Sequence, residues 1–451
     1  MTVDLIVVGT GTAAQSVAYA CRESGSGWAV TVIDNRPFGG TCQLRGCDPK
    51  KVLVGVSEVT DWARRMDGRG MPGSPGIIDW PEMMAFKRTF VDGVPELNET
   101  AFEQAGIRTV HGRARFTGPT SLRVGDDVHE AAHVVIATGA RHAPLGIPGE
   151  EHLVTSTGFL ELPVLPPRVL FVGGGYIAFE FAHVAARAGR HVRVVHRGTR
   201  PLEAFDPDLV DQLLATTRDL GVDVVLETTV TGVEQRGDEF VVRTTSGAGS
   251  GDFVADLVVH AAGRVPEIDD LDLDVAGVNR VEGGGVEVNQ YLQSVTNPAV
   301  YAAGDAAASG GFPLTPVAGM QGGVVAANLL EGNSRVPNYD GIPSVVFTTP
   351  ALARVGIDEA TADARGIDYV VRHEETTGWY SSRRVALAHS GFKTLVEKGT
   401  GRILGAHLFG HHAEEVINLF GLAIRKGLTA DDLKDMIYAY PTSSSDIGSM
   451  L

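Results

Sequence analysis

The chain has 451 residues, 43% hydrophobic and 21% charged, which suits a globular protein of two to four compact domains. Its 38 Lys and Arg against 55 Asp and Glu give a formal net charge of −17, a balance that repels nucleic-acid phosphates and anionic membrane surfaces. No apolar run reaches the length that crosses a bilayer, and three cysteines in a chain this long exclude a disulfide scaffold. The first residues run into an apolar strand with no basic region or cleavage site ahead of them, so the expected address is the cytoplasm, where a disulfide would be catalytic.

The opening segment, "DLIVVGTGTAAQSVAYACRESG", reads as a strand, then Gly9-x-Gly11-x-x-Ala14, then an amphipathic helix. Glycines at this spacing allow a tight turn and bring a pyrophosphate close to the backbone, on the unpaired N–H groups of the helix N-terminus. The next strand, "AVTVID", ends in Asp34, where a dinucleotide fold places the acid that binds ribose hydroxyls. Cys21 falls on the apolar stripe of the intervening helix and reads as a small buried hydrophobe.

"GGTCQLRGCDPKK", residues 39 to 51, then spends two of the three cysteines, Cys42 and Cys47, within a few residues. Such a pair can be a metal clamp, a staple or a redox couple. A metal would need more Cys or His ligands at suitable spacing, and no histidine stands nearby. Further on, "VVIATGARHAPLGIPG" is a strand breaking at Thr138-Gly139.

A second fingerprint, Gly173-x-Gly175-x-x-Ala178, lies in "RVLFVGGGYIAFEFAHVAARAGRHVRVVHRGTRPL". Here the second strand runs into His196, Arg197 and Arg200 and not into an acid. Cations at that point suit the 2′-phosphate of NADPH, which an acid would repel. "VYAAGDAAASGGFPLTPVAGMQGGVVAANLL" is a strand ending at Gly304-Asp305, then a loop and a helix; an acid at a strand end can bind ribose or ribitol hydroxyls, and a helix N-terminus can face an anionic flavin ring.

The order GxGxxA, GGTCxxxGCxPKK, ATG, GGGYIAFE, GRxP, AAGDAA, LTP and YPT resembles the flavoprotein disulfide reductases, the group of glutathione reductase, dihydrolipoamide dehydrogenase, trypanothione reductase and mercuric reductase. The resemblance spans essentially the whole chain. It implies an α/β fold: two Rossmann-like domains and an α+β C-terminal dimerisation domain. The expected segments are 1–143 for FAD, 144–266 for NADPH, 267–335 for the second FAD or central segment, and 336–451 for the interface of a homodimer whose active site is shared between subunits.

By position, the resemblance makes Cys42 the interchange thiol and Cys47 the charge-transfer thiol of a redox disulfide. Lys50 is expected to pair with Glu180 near the flavin, and Tyr176 to cover the flavin face until nicotinamide enters. Gly9, Gly11, Ala14, Asp34, Gly40, Thr41, Thr138, Gly139, Gly304 and Asp305 are the expected FAD contacts. Gly173, Gly175, Tyr176, Ala178, His196, Arg197, Arg200 and Arg264 are those for NADPH, although the usual asparagine after Arg264 is Glu267 here.

"VPNYDGIPSVVFTTPALARVGI" opens the interface domain. His411 and His412, at the start of its helix, read as capping or surface residues, and Trp379, Tyr380, Arg383 and Arg384 as an interface or a substrate entrance. The family's C-terminal "HPTxxE" supplies a histidine and a glutamate as an acid–base dyad. This chain has "AYPTSSSD", with Tyr440 and Ser445 at those positions and Asp446 one residue later. A tyrosine is a poor base at neutral pH, so the expected substrate is a low-molecular-weight disulfide with a low-pKa leaving thiol.

No metal is expected. Mercuric-type reduction usually brings further C-terminal cysteines, and "DIGSML" has none; thioredoxin reduction through a redox tail is disfavoured likewise. Transhydrogenation can dispense with the cysteine pair. Quinone reduction remains an alternative, and a non-catalytic flavin-binding redox sensor is the alternative from another class.

Overall fold

A computed structural model describes residues 3–25, 27–73 and 76–451. The chain divides into two compact units: Met1–Lys50, Ala85–Ala143 and Gly263–Tyr339 form the first, and Lys51–Met84, Pro144–Ala262 and Asp340–Leu451 the second.

The first unit is built on a seven-stranded sheet. Its order runs Arg108–His111, Val30–Asp34, Val3–Val8, Asp127–Ile136, Ser121–Val124, Ala114–Phe116, with Val300–Ala302 also pairing with Asp127–Ile136. The strand Val3–Val8 lies parallel to both neighbours, and Val300–Ala302 is parallel to Asp127–Ile136, whereas the last three strands form an antiparallel meander. A central parallel strand is covered on both faces, so it reads as a continuous apolar run. Leu5 and Val7 pack into one core with Val17, Phe38, Phe102 and Val325, while Ile6 and Val8 pack into the opposite one with Phe116, Leu122 and Ile136. Cys21 is fully buried in the first of these cores, and burial pushes its thiol up to about 12. It is the inert hydrophobe expected of it.

The second unit holds a four-stranded parallel sheet in the order Asp223–Val225, His191–Val195, Arg168–Val172, Leu257–His260. A three-stranded antiparallel sheet follows in the chain, over Thr228–Arg236, Glu239–Ser246 and Gly249–Ala255. The C-terminal part forms a five-stranded antiparallel sheet, Ser344–Val346, Ala351–Gly356, Ile403–Gly410, Gly391–Glu397, Tyr369–Glu375, backed by the helix Ala413–Lys426 through Val416, Ile417 and Phe420. The chain passes from one unit to the other after Lys50, Met84, Ala143, Ala262 and Tyr339.

Within the second unit, Lys393 is almost fully buried, with its ammonium 2.9 Å from Asp206, 2.5 Å from Asp208 and 2.7 Å from Glu359. These three acids are the one acidic group of metal-binding spacing among the described residues, and the lysine ammonium already pairs with all three. Asp206 also caps the helix Pro207–Asp219 by accepting from the backbone of Asp208 and Leu209, so one buried cluster ties that helix start to the five-stranded sheet. Among the described residues no helix is long and apolar enough to cross a membrane.

Candidate active site

The first fingerprint begins where Val3–Val8 ends. Gly9 has φ +113°, and a Cβ there would stand 2.3 Å from the carbonyl oxygen of Ala137, so only glycine lets the strand end pass the "ATG" turn. Gly11 precedes the helix Thr12–Glu23, and Ala14 is buried in it. Gly40, at φ +69°, would place a Cβ 2.4 Å from Gly11 Cα, so the cysteine loop and the fingerprint meet backbone to backbone.

Asp34 closes the second strand. Its carboxylate accepts from Thr10 Oγ1 at 2.7 Å and from the Arg36 N–H at 3.0 Å. Thr10 also accepts from Gly39 N, which links the ribose acid to the cysteine loop. Thr138 Oγ1 is buried without a hydrogen-bond partner among the described residues. Gly304 (φ +68°) donates its N–H to Gln321 at 2.7 Å, and burial raises the Asp305 carboxyl, opposed by the charge of Arg264. A glycine-lined backbone approach, a helix N-terminus, an unpaired buried hydroxyl and two strand-end acids are features that fit a dinucleotide.

The two cysteines bracket a break between helices: Gly40–Arg45 ends, Gly46 turns, and Cys47–Arg65 begins. Both are free thiols, Cys42 half-buried and Cys47 exposed. They differ electrically. A hydrogen bond from Cys42, with help from the Thr315 hydroxyl and the Lys50 charge, lowers Cys47 to about 6. The same hydrogen bond and burial push Cys42 well above the usual thiol range. Thr315 Oγ1 lies 3.5 Å from Cys47 Sγ, and Cys42 Sγ lies 3.7 Å from Asp48 Oδ1. Cys47 is therefore the thiolate and Cys42 the thiol at neutral pH.

Thr41 lies between Gly40 and Cys42 in the same short helix. Arg264 belongs to the first unit, where it donates to the Ala140 carbonyl, and not to the unit carrying the second fingerprint. Glu267 forms a 2.6 Å ion pair with Arg36. Thr10, Gln321, Thr315 and Asp48 were not singled out in the sequence. All four stood in quoted stretches, but their partners are set by how the chain folds.

In the second unit, Gly173 repeats the device of Gly9: φ is +125°, and a Cβ would lie 2.2 Å from the Ala261 carbonyl oxygen. Gly175 precedes the helix Tyr176–Arg187, with Ala178 buried and Tyr176 43% exposed. Glu180, fully buried, accepts from the Phe347 N–H at 2.8 Å. His196 packs its ring against Gly174 and pairs through Nε2 with the Arg200 carbonyl at 3.1 Å, while Arg197 is exposed and Arg200 half-buried.

At the C-terminus Tyr440 is 80% exposed. Ser445 is used locally: its N–H donates to Thr442 Oγ1 and its hydroxyl donates to the Thr442 carbonyl at 2.6 Å. The Asp446 carboxylate accepts from Ser381 at 2.5 Å, so Asp446 is engaged elsewhere and is not bonded to Tyr440. His412 stands at the N-cap of its helix, in a left-handed conformation, without a side-chain cap bond. Burial, with repulsion from His412, Arg384 and Arg65, lowers His411 to about 4. Trp379 packs on Phe392, and Tyr380–Arg383 form a short helix with Tyr380 exposed.

Residues 3–322 match the family described as pyridine nucleotide-disulphide oxidoreductase, and residues 342–451 match its dimerisation domain. The chain is 31% identical to a glutathione reductase of Burkholderia cepacia over 98% of its own length and 97% of that protein. It is 32% identical to a mercuric reductase of Streptomyces lividans, covering 97% and 93%. A solved structure of the copper(II) complex of the HOCl-induced flavoprotein disulfide reductase RclA from Escherichia coli superposes with a TM-score of 0.89 at 27% identity, covering 100% of this chain and 99% of that one.

Proposed function

Because this chain belongs to the pyridine nucleotide-disulphide oxidoreductase family, we propose that it is an NADPH-dependent reductase of a low-molecular-weight disulfide with a low-pKa leaving thiol. Bound FAD would supply the two-electron link between the nicotinamide and the Cys42–Cys47 disulfide. The chain's own residues do the rest. The helix N-terminus after Gly11 would hold the pyrophosphate, with Asp34 on the ribose and Asp305 on the ribitol side. His196, Arg197 and Arg200 would receive the 2′-phosphate of NADPH, and Tyr176 would guard the nicotinamide position. Lys50 and Glu180 fall in different units, and their pairing is proposed on the resemblance alone.

The observation that carries this reading is the free Cys42–Cys47 pair at a helix start, in a loop that meets the first fingerprint backbone to backbone at Gly40, with its neighbours favouring the charge on Cys47 over Cys42. Cys42 sulfur bonds to one sulfur of the external disulfide and expels the other as a thiolate. Cys47 then attacks the mixed disulfide, restoring the Cys42–Cys47 bond and releasing the second thiol. The active site is completed across a homodimer, consistent with the match to a dimerisation domain.

The test is NADPH consumption by the flavin-loaded enzyme with aryl, heterocyclic and alkyl disulfides. Heterocyclic disulfides are expected to turn over fastest and glutathione disulfide slowly. Turnover that survives Cys42→Ser sinks the proposal. The mercuric reductase relatives and the copper(II) complex among similar structures make Hg(II) and Cu(II) the acceptors to run beside them.

A further inference from the structure

The exchange step leaves one proton unassigned. Cys42 carries it, and the sulfur must lose it as the bond to substrate forms. Tyr440 is a phenol and a poor base at neutral pH whichever subunit it serves, Ser445 is spent on its own turn, and Asp446 holds Ser381. Among the described residues no histidine bonds to either cysteine. The groups facing Cys42 are Cys47, Thr315 and Asp48, and only Asp48 can accept a proton without also being a redox thiol.

We propose that Asp48 is the catalytic base of the interchange thiol: its carboxylate, 3.7 Å from Cys42 Sγ, takes the thiol proton as Cys42 attacks the substrate disulfide. The distance fits a hydrogen bond to sulfur, and Asp48 follows Cys47 directly, in the first turn of the helix Cys47–Arg65. The backbone turn at Gly46 that separates the two cysteines also brings this carboxylate back onto Cys42. The step balances as Cys42–SH plus RS–SR plus Asp48–COO⁻ giving Cys42–S–SR, RS⁻ and Asp48–COOH. The S–H and substrate S–S bonds break and the mixed disulfide forms. Asp48 is exposed, so its proton then passes to water. The leaving thiolate departs unprotonated, which matches a substrate of low thiol pKa.

A carboxylate here has a second consequence. Its negative charge disfavours the Cys42 thiolate and holds the resting proton on Cys42, so that Cys47 carries the charge.

This inference rests on the disulfide-reductase reading, and two measurements separate their fates. Asp48→Asn, which keeps the shape, is expected to lower disulfide turnover about tenfold, at the modest end for general-base catalysis. The same variant is expected to alkylate faster at Cys42 near neutral pH, read by mass spectrometry on the reduced flavin-loaded protein, because the repulsion that suppresses its thiolate is gone. Asp48→Glu should recover part of the turnover and slow the alkylation again. Slower turnover with faster alkylation supports the base. Turnover within twofold of the parent, or alkylation that slows along with turnover, overturns it. If the parent reduces no disulfide at all, the function fails, while the alkylation contrast still judges the Asp48–Cys42 contact and an unchanged rate rejects it.

Discussion

The two fingerprints are built alike in backbone and unlike in charge. Gly9 and Gly173 each pass a neighbouring strand's carbonyl at a distance where a Cβ would collide, with φ of +113° and +125°. Gly11 and Gly175 each precede a helix. The next strand ends in Asp34, fixed by Thr10, in one, and in His196 and Arg197 in the other. The shared part is dictated by how tightly a strand–turn–helix must pack on its sheet. In the proposed function the unshared part would meet the nucleotide and select between NADH and NADPH.

Adding a methyl group breaks the shared part. Gly9→Ala and Gly173→Ala should each cost roughly 2–4 kcal/mol of stability, from the positive φ and the overlap with backbone that cannot move aside. Their functional outcomes should diverge. Gly9→Ala protein is expected to purify without yellow colour, and Gly173→Ala to stay yellow but resist reduction by NADPH. Flavin absorbance and thermal unfolding check both, and equal flavin loss in the two variants contradicts the assignment of separate sites.

Between the fingerprints in function stands the cysteine loop, docked on the first through Gly40. With Cys47 lowered to about 6 by its hydrogen bond from Cys42, the thiolate dominates above that pH and is lost as pH falls through it. The long-wavelength thiolate-to-flavin absorption of the half-reduced enzyme should therefore fade below about pH 6, and vanish in Cys47→Ser. Persistence of the band in Cys47→Ser, with loss in Cys42→Ser, reverses the two roles.

The charge difference gives a smaller and more selective effect. Arg197→Ala should raise the Michaelis constant for NADPH about tenfold through one charge-assisted bond, leaving flavin content and NADH kinetics unchanged. Equal use of NADH and NADPH by the parent enzyme contradicts the reading of this turn.

Most of the fold was legible because its signals are local. A glycine spacing, an apolar run and an acid at a strand end are written in consecutive residues, and so is the cysteine pair. What stayed hidden depends on chain segments far apart in sequence. Thr315 reaches Cys47 from a helix 268 residues away, and Gln321, in that same helix, accepts from the Gly304 N–H. Thr315 belongs to the quoted LTP motif, but nothing in the motif says which residue it meets. Lys393 reads as an isolated cation in a strand, and only the packed unit shows it paired with three acids. Asp48 was in plain view, but its distance from Cys42 is set by how Gly46 turns the chain.

The smallest expected effect concerns Tyr440, where the family has a histidine. The sequence left open whether Asp446 takes over as its partner. The structure answers that Asp446 accepts from Ser381, and burial raises its carboxyl, so it does not polarise the tyrosine. A phenol without a carboxylate partner is a poor base at neutral pH but can donate one hydrogen bond. Donation to a leaving thiolate matters least when that thiolate is already stable. Tyr440→Phe should accordingly slow heterocyclic disulfides by about two- to threefold and alkyl disulfides by more, in line with the modest net value of one hydrogen bond. Tyr440→His should favour alkyl disulfides over heterocyclic ones, because an imidazole can protonate a basic leaving thiolate. The ratio of the two substrate classes across these three proteins is the measurement. A ratio that does not move leaves Tyr440 without a part in the exchange and removes the low-pKa substrate argument with it.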